Sequence, residues 1–250
     1  MARKFYLPNQ DLVVGQTVTI SGDEFLHITK VLRNSVGDFV PVFNGSGKDY
    51  TAQIKSISKN SLDALIISEN TVCTETKNFV CVFQALVKAD KFEIITQKLT
   101  ELGVKKIVPF YSSFCQVKPN TTRLDRLEKI SIEALKQCGR SKKVEITPVQ
   151  TFDQMIESLA EFDKVIFAYE KSNQNFAENF LDNNDTNSQK VAIIIGSEGG
   201  FSPDENQKIA QLPNAKSVSL GSRILRAETA SIALTSVVMF LLGEWNKNEN

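Results

Sequence analysis

Hydrophobic and polar residues alternate along several short stretches of the first 70 positions. These stretches cover residues 13–21, 39–43, 50–57 and 62–68. A period of two is typical of half-buried strands, because successive side chains of a strand point to opposite faces of the sheet. One helix is predicted among them, from residue 24 to about residue 33. Several short strands with tight turns between them predict a small β-barrel.

After a polar segment at residues 74–78, the pattern changes to apolar strands that alternate with amphipathic helices. The predicted strands are 79–86, 104–109, 164–169, 190–195 and 217–220, and the predicted helices are 91–102, 122–138, 203–211 and 228–242. This alternation favours a mostly parallel sheet covered on both faces by helices. We therefore predict an α/β protein with a β-barrel at residues 1–72, a linker at 73–78 and an α/β domain at 79–250.

Composition narrows the kinds of site that the chain can build. Of its 250 residues, 42% are hydrophobic and 23% are charged, which is an ordinary balance for a protein with an apolar core. A single histidine excludes a multi-histidine metal site, and the 4 cysteines form no C-x-x-C pair, so we expect no metal. The most apolar stretch, 232–242, is about half of the ~20 residues that a membrane span needs. Residues 1–10 lack the apolar core of a secretory signal, so we expect a cytoplasmic protein with no membrane partner.

Charge is distributed unevenly, although 29 basic and 29 acidic side chains balance over the chain. Residues 73–150 carry 14 basic and 8 acidic side chains, whereas residues 151–250 carry 8 basic and 14 acidic ones. A basic segment in an otherwise neutral chain indicates a polyanionic partner. The alternative is a solvated helical face that pairs with the acidic last third of the chain.

Two glycine-bearing loops are the strongest candidates for a ligand site. The first, at residues 196–200, follows the apolar strand 190–195. Ser202, Pro203 and Glu205 then form the predicted N-cap, first position and capping-box acid of a helix. Glycines between a strand end and a helix start let backbone N–H groups approach a ligand, at the edge where α/β sheets bind ligands. The alternative is a turn that merely needs glycine.

The second loop, at residues 221–226, follows the predicted strand 217–220 and again precedes a helix. Glu228 suits the positive end of that helix, but Arg226 does not, so this cation needs a partner or a function. Two such loops at one sheet edge predict a nucleoside pocket.

The segments 196–202 and 220–230 together resemble the signature of the bacterial ribosomal RNA small subunit methyltransferase E family. These are SPOUT-class enzymes that methylate N3 of a uridine in 16S rRNA. The resemblance extends to His27, to residues 98–104 and to residues 133–140. One departure is Ser197, where the family usually has a proline that stiffens the loop.

The resemblance implies a PUA-like, RNA-binding barrel followed by a SPOUT-type α/β domain with a deep trefoil knot, which is an exception to unknotted folding. It also implies S-adenosylmethionine as the cofactor, 16S rRNA of the small ribosomal subunit as the partner, and a homodimer. The residues placed at the family's cofactor site are Gly196, Ser197, Glu198, Gly199, Gly200, Leu220, Gly221, Ile224 and Leu225.

Methylation at uridine N3 requires that the N3–H proton leave and that the resulting negative charge be stabilised. We predict that Arg226 stabilises charge on the uracil oxygens, while Glu198 or Glu228 orients the arginine or takes the proton. For Glu228, stabilisation of the helix start is an equal alternative.

Basic residues at helical spacing predict an RNA surface that contacts phosphates. They are Arg123, Arg126, Lys129, Lys136 and Arg140, to which the resemblance adds Arg3, His27 and Arg33. The alternatives are a solvated helix face for the helical set and a structural role for His27. Two other functions remain open: a SPOUT methyltransferase for another RNA, and a non-catalytic RNA-binding assembly factor.

Overall fold

The chain divides into two compact units. The computed structural model describes residues 4–8, 10–70, 74–118, 123–169 and 189–246. Unit one comprises Met1–Glu75 and Ile132–Lys143, and unit two comprises Thr76–Ser131 and Val144–Asn250. The first division lies inside the segment expected to be a linker. Residues 132–143, which the sequence pattern placed in the second domain, lie in unit one.

Unit one is built on a sheet of five strands. They are β1 (Phe5–Tyr6), β2 (Thr17–Ser21), β3 (Phe39–Phe43), β4 (Asp49–Ile57) and β5 (Ser61–Asn70). Their order in the sheet is β1-β3-β4-β5-β2, with β1 parallel to β3 and the other neighbours antiparallel. Alternate side chains such as Val18, Ile20 and Ile54 are buried, which is the period of two expected of strands with one face on a core.

The helix of unit one differs from its predicted range of 24–33. Helix α1 (Gly22–Leu26) begins earlier, at a glycine with a positive φ, and continues as a π-helical turn over His27–Val31. Arg33 has a φ of 57°, a left-handed conformation that ends the helical path. The pattern located the helix, but the local backbone sets its ends.

Unit two is a parallel sheet of seven strands among the described residues. The strands are β6 (Phe79–Ala85), β7 (Lys106–Tyr111), β8 (Glu145–Ile146), β9 (Gln150–Thr151), β10 (Lys164–Ala168), β11 (Lys190–Ile195) and β12 (Ala215–Val218). Their order is β12-β10-β11-β6-β7-β8, and β9 also pairs with β7. The central strands β6, β10 and β11 are almost wholly buried, as is usual for a parallel sheet covered on both faces.

Within the described residues, five helices follow strands of this sheet. They are α2 (Ala89–Glu101), α3 (Leu124–Cys138), α4 (Phe152–Ser158), α5 (Pro203–Ala210) and α6 (Ala227–Leu241). Residues 124–131 of α3 belong to unit two and residues 132–138 to unit one. The sequence pattern missed α4 and a short 3₁₀ turn at Leu159–Glu161, although Thr151 and Gln154 form a capping box at the start of α4. That T-x-x-Q spacing was a readable helix signal.

The strand order determines where the two glycine loops lie. Strand β10 lies between β11 and β12, and all three are parallel. The loops that follow β11 and β12 therefore leave the same edge of the sheet on either side of β10. In the described parts of the chain, no helix is long and apolar enough to cross a membrane. No group of three or more potential metal ligands occurs among those residues either.

Candidate active site

A pocket of about 450 Å³ lies at the carboxyl ends of β10, β11 and β12. Its walls are the loop after β11, the loop after β12 and the first turn of α6. All nine residues predicted to hold a cofactor line this pocket: Gly196, Ser197, Glu198, Gly199, Gly200, Leu220, Gly221, Ile224 and Leu225. Arg226 lines it as well, together with Tyr169, Phe201 and Arg223.

Glycine is required at several positions of the loop after β11, which we call the first loop (196–202). A Cβ on Gly199 would lie 2.8 Å from Phe114 Cβ, which is closer than carbon atoms can approach without movement. A Cβ on Gly196 would lie 3.3 Å from Gly200 Cα. Gly200 has a φ of 71°, and its N–H donates to the Ser197 carbonyl at 3.0 Å. Tight packing and backbone conformation therefore both select glycine here.

Glu205 holds the first loop in place from the start of α5. Ser202 caps the helix, and its hydroxyl accepts from the Glu205 N–H while Glu205 Oε2 accepts from the Ser202 N–H at 2.9 Å, which confirms the predicted capping box. The other carboxylate oxygen, Oε1, accepts from the N–H of Ser113 at 2.7 Å and from its hydroxyl at 2.9 Å. Glu205 is buried, so one side chain ties the first loop to the loop after β7.

The loop after β12, which we call the second loop (219–226), is much more open. Gly221 has a φ of 98°, and a Cβ there would meet no atom within 4 Å. Ile224 is 89% exposed although its side chain is apolar. Arg226 is the exposed N-cap residue of α6, its side chain makes no capping hydrogen bond, and it forms no ion pair with any described residue. A guanidinium is thus available at the mouth of the pocket.

Lys91 on α2 connects the two candidate carboxylates. Its Nζ lies 3.8 Å from Glu198 Oε1 and 3.5 Å from Glu228 Oε2. The Glu228 Oε2 atom is buried and has no hydrogen bond among the described residues. Sequence spacing gave no sign of Lys91, because it precedes both glutamates by more than a hundred positions and meets them only through the order of the strands.

The predicted RNA-binding residues fall into different environments. Arg3 lies outside the described residues. His27 is half-buried and packs edge-on against Phe5 at 5.8 Å between ring centroids, and Arg33 is exposed. In unit two, Arg123 and Lys129 are exposed, whereas Arg126 donates to both oxygens of Glu93 at 3.2–3.3 Å.

Lys136 and Arg140 do not form the exposed phosphate contacts that helical spacing predicted. Lys136 is 5% exposed and donates to Glu24 at 2.7 Å and to Glu133 at 2.8 Å. Arg140 is 4% exposed and pairs with Glu75 at 2.8 Å. Burial alone would raise the pKa of Glu75, but Arg140 and the N–H groups of residues 141 and 142 outweigh burial and lower it. Both cations hold the segment 132–143 within unit one, so we remove them from the predicted RNA surface.

Comparison with known proteins agrees with this geometry. Residues 74–239 match a family model described as an RNA methyltransferase domain, and residues 20–67 match one described as an RNA methyltransferase PUA domain. A relative named ribosomal RNA small subunit methyltransferase E from Rickettsia conorii is 32% identical, with 93% of each chain aligned. The protein of the same name from Bacillus subtilis is 29% identical over 94% of each chain.

Solved structures show the same relationship. The ribosomal RNA small subunit methyltransferase E of Neisseria gonorrhoeae, bound to S-adenosylmethionine, superposes with a TM-score of 0.84 at 30% identity, covering 96% of this chain and 98% of that one. A putative methyltransferase of Legionella pneumophila, also with bound S-adenosylmethionine, gives a TM-score of 0.82 at 29% identity, again covering 96% and 98%. The sequence resemblance is thereby confirmed: the chain belongs to the RNA methyltransferase family whose members are named ribosomal RNA small subunit methyltransferase E.

Proposed function

We propose that this protein transfers a methyl group from S-adenosylmethionine to N3 of a uridine in the decoding region of 16S rRNA, acting on the small ribosomal subunit. The observation that carries the proposal is the pocket between the two glycine loops, lined by Arg226, which has no ion-pair partner in the part of the chain that the structure describes. Membership in a family of ribosomal RNA methyltransferases supports the substrate class.

The residues of the pocket fit S-adenosylmethionine. A volume of about 450 Å³ is in the range of roughly 300–1,000 Å³ that small-molecule sites occupy. Gly200 and Gly221 present backbone without side chains, with nothing within 4 Å of where a Cβ would stand, so backbone N–H and C=O groups can reach a ligand. Leu220, Ile224 and Leu225 offer apolar surface for an adenine ring. When bound, the cofactor supplies a methyl group activated by a sulfonium centre.

Arg226 is proposed to stabilise the negative charge that develops on the uracil oxygens when N3 loses its proton. An exposed guanidinium without a carboxylate partner retains its hydrogen-bond donors for a substrate oxygen. The two glycine loops would hold the cofactor, whose sulfonium would give up the methyl group to uridine N3 and leave as the neutral thioether S-adenosylhomocysteine. Holding both reactants in one site contributes about 7–11 kcal/mol to lowering the barrier.

Glu198 is proposed as the proton acceptor, because it lines the pocket whereas Glu228 does not. Glu228 is proposed to orient Glu198 indirectly, because Lys91 contacts both carboxylates and keeps Glu198 near the pocket wall. The proposal thus gives the two glutamates different roles, which the sequence left open.

Both units are proposed to contact RNA. We propose that unit one closes into a PUA-like barrel that binds RNA through His27 and Arg33, and that Arg123, Arg126 and Lys129 contact phosphates.

The parallel sheet is proposed to contain the deep trefoil knot of SPOUT enzymes, which the site loops would form. Ribosomal RNA as the substrate also supports a cytoplasmic location.

A homodimer is proposed to form through α2 and α6. These helices pack against each other, and both expose large apolar side chains. Ile94 on α2 is 46% exposed and Phe240 on α6 is 61% exposed, with Trp245 edge-on to Phe240 at 6.0 Å. Apolar surface of this kind on a globular protein is typical of an interface.

The experiment that tests the function is methyl transfer from labelled S-adenosylmethionine to small ribosomal subunits from a strain that lacks the modification. Nuclease mapping and mass spectrometry would locate the label. The proposal requires a single 3-methyluridine in 16S rRNA. Cofactor binding without label would indicate another RNA substrate, and neither binding nor label would favour an assembly factor.

A further inference from the structure

A second and larger pocket lies in unit two, between the start of α2 and the start of α3. Its volume is about 760 Å³, and it shares no lining residue with the pocket between the glycine loops. Apolar side chains of Val87, Phe92, Val117 and Leu127 form part of its lining. We call this pocket the α2–α3 groove.

The rim of the groove is basic. Four cations line it: Lys88, Arg123, Arg126 and Lys129. Glu93 partly neutralises Arg126 through two hydrogen bonds, and Asp125 lies 3.9 Å from Arg123. The side chains of Lys88 and Lys129 are exposed and have no ion-pair partner among the described residues. The groove therefore combines an apolar lining with two lysines that have no ion-pair partner within the described ranges.

The first turn of α2 connects this groove to the candidate active site. Ala89 and Phe92 line the groove, while Lys91 contacts Glu198 and Glu228. Residues of one helical turn lie within about 5.4 Å of one another along the axis. The groove and the candidate active site therefore both lie against the first turn of α2.

We propose that the α2–α3 groove holds an unpaired nucleotide of the RNA substrate, one that neighbours the target uridine. The base would contact the apolar lining, and Lys88 and Lys129 would contact the flanking phosphates. Single-stranded RNA is bound in this way, through splayed bases on apolar surface and backbone phosphates on basic residues. The proposal rests on the proposed function, since it extends the substrate from one base to a short strand.

The first test neutralises Lys88 and Lys129 in the 250-residue chain. The double variant Lys88→Gln/Lys129→Gln should raise KM for unmodified small subunits about tenfold or more and leave the Kd for S-adenosylmethionine within about twofold. Binding of a single-stranded RNA oligonucleotide of the target sequence, followed by fluorescence anisotropy, should lose about 1.4 from its log–log salt slope, because each single-strand phosphate contact contributes about 0.7. Lys77→Gln is the matched control, since Lys77 is exposed and precedes the opposite end of β6.

The second test fills the groove without removing core atoms. Ala89 is exposed and lines the groove, so Ala89→Trp should raise KM for small subunits at least tenfold with an unchanged melting temperature and an unchanged cofactor Kd. The proposal is overturned if the double variant and Ala89→Trp both match Lys77→Gln in KM and salt slope while the wild type methylates. If the wild type transfers no methyl group to any RNA, the proposed function fails, and the oligonucleotide slopes still decide whether the groove binds RNA.

Discussion

The two loops of the candidate active site look alike in sequence but are held in very different ways. Packing and hydrogen bonds within the protein fix the first loop: Gly199 lies against Phe114, and Glu205 links the loop to Ser113. The second loop exposes Ile224 almost completely and leaves Arg226 without an ionic partner among the described residues. The first loop thus forms a fixed wall of the pocket, whereas the second loop forms a wall whose side chains are available to a ligand.

Because of this difference, we expect the first loop to determine cofactor affinity and the second loop to determine the rate of methyl transfer. A preorganised loop loses little conformational entropy when a ligand binds, so the first loop should govern cofactor affinity. The second loop carries the one cation predicted to act on the transition state, so it should govern turnover. Substitutions in the two loops should therefore change different kinetic constants.

The largest effect is expected from Arg226→Ala. Loss of a group that stabilises developing charge lowers kcat by about 10²–10³-fold, whereas the Kd for S-adenosylmethionine should stay within about twofold. Single-turnover methylation of small subunits and calorimetric cofactor binding would measure the two. Arg223→Ala, a second pocket arginine of the same loop, is the control and should cost less than tenfold. Undiminished turnover of Arg226→Ala would remove the arginine from the mechanism.

Gly199→Ala should produce the next largest effect, in affinity rather than turnover. The new methyl group would lie 2.8 Å from Phe114 Cβ and 3.3 Å from its carbonyl oxygen, so the first loop must move. We expect the Kd for S-adenosylmethionine to rise about 10- to 100-fold, measured by calorimetry. Gly221→Ala meets no atom within 4 Å and is strained only by its φ of 98°, so it should cost less. Equal losses at the two glycines would contradict the distinction between the walls.

Glu205→Gln should destabilise the first loop, with a smaller effect than the two substitutions above. The amide nitrogen of glutamine is a donor, so it cannot accept from Ser113 and Ser202 on both sides at once. We expect a loss of about 1–3 kcal/mol in the free energy of unfolding, seen as a melting temperature lower by several degrees. Asp204→Asn changes a neighbouring exposed acid of the same turn and should shift it much less. A melting temperature no lower than that of Asp204→Asn would show that the buried carboxylate does not hold the loop.

The sequence predicts interactions between residues that are close together in the chain, but not those between residues that are far apart in it. The capping box of Ser202 and Glu205 was readable because its partners are three positions apart. The contact of Lys91 with Glu198 and Glu228 was not, because only the strand order brings those positions together. Helical spacing likewise shows which face carries a cation but not what covers that face.

Lys136 illustrates this limit most clearly. Its spacing from Lys129 is that of a continuous basic stripe, yet Lys129 is exposed and Lys136 is buried against Glu24. Glu24 is more than a hundred positions away in sequence, in a different part of the charge pattern. The nine residues predicted at the cofactor site all line one pocket, because each belongs to a local strand–loop–helix unit and the parallel sheet aligns those units.

The smallest effect is expected from Ser197→Pro, which should make the first loop more rigid. The Ser197 hydroxyl is buried without a hydrogen bond among the described residues, and its backbone is not in the left-handed region. Proline removes that unsatisfied group and restricts the unfolded chain, which adds about 0.4–1 kcal/mol when the backbone already suits it. We expect a slightly higher melting temperature and a cofactor Kd lowered by no more than about fivefold, with kcat unchanged. A lower melting temperature would mean that the first loop relies on flexibility at this position, and the contrast with the second loop would then be smaller than its contacts indicate.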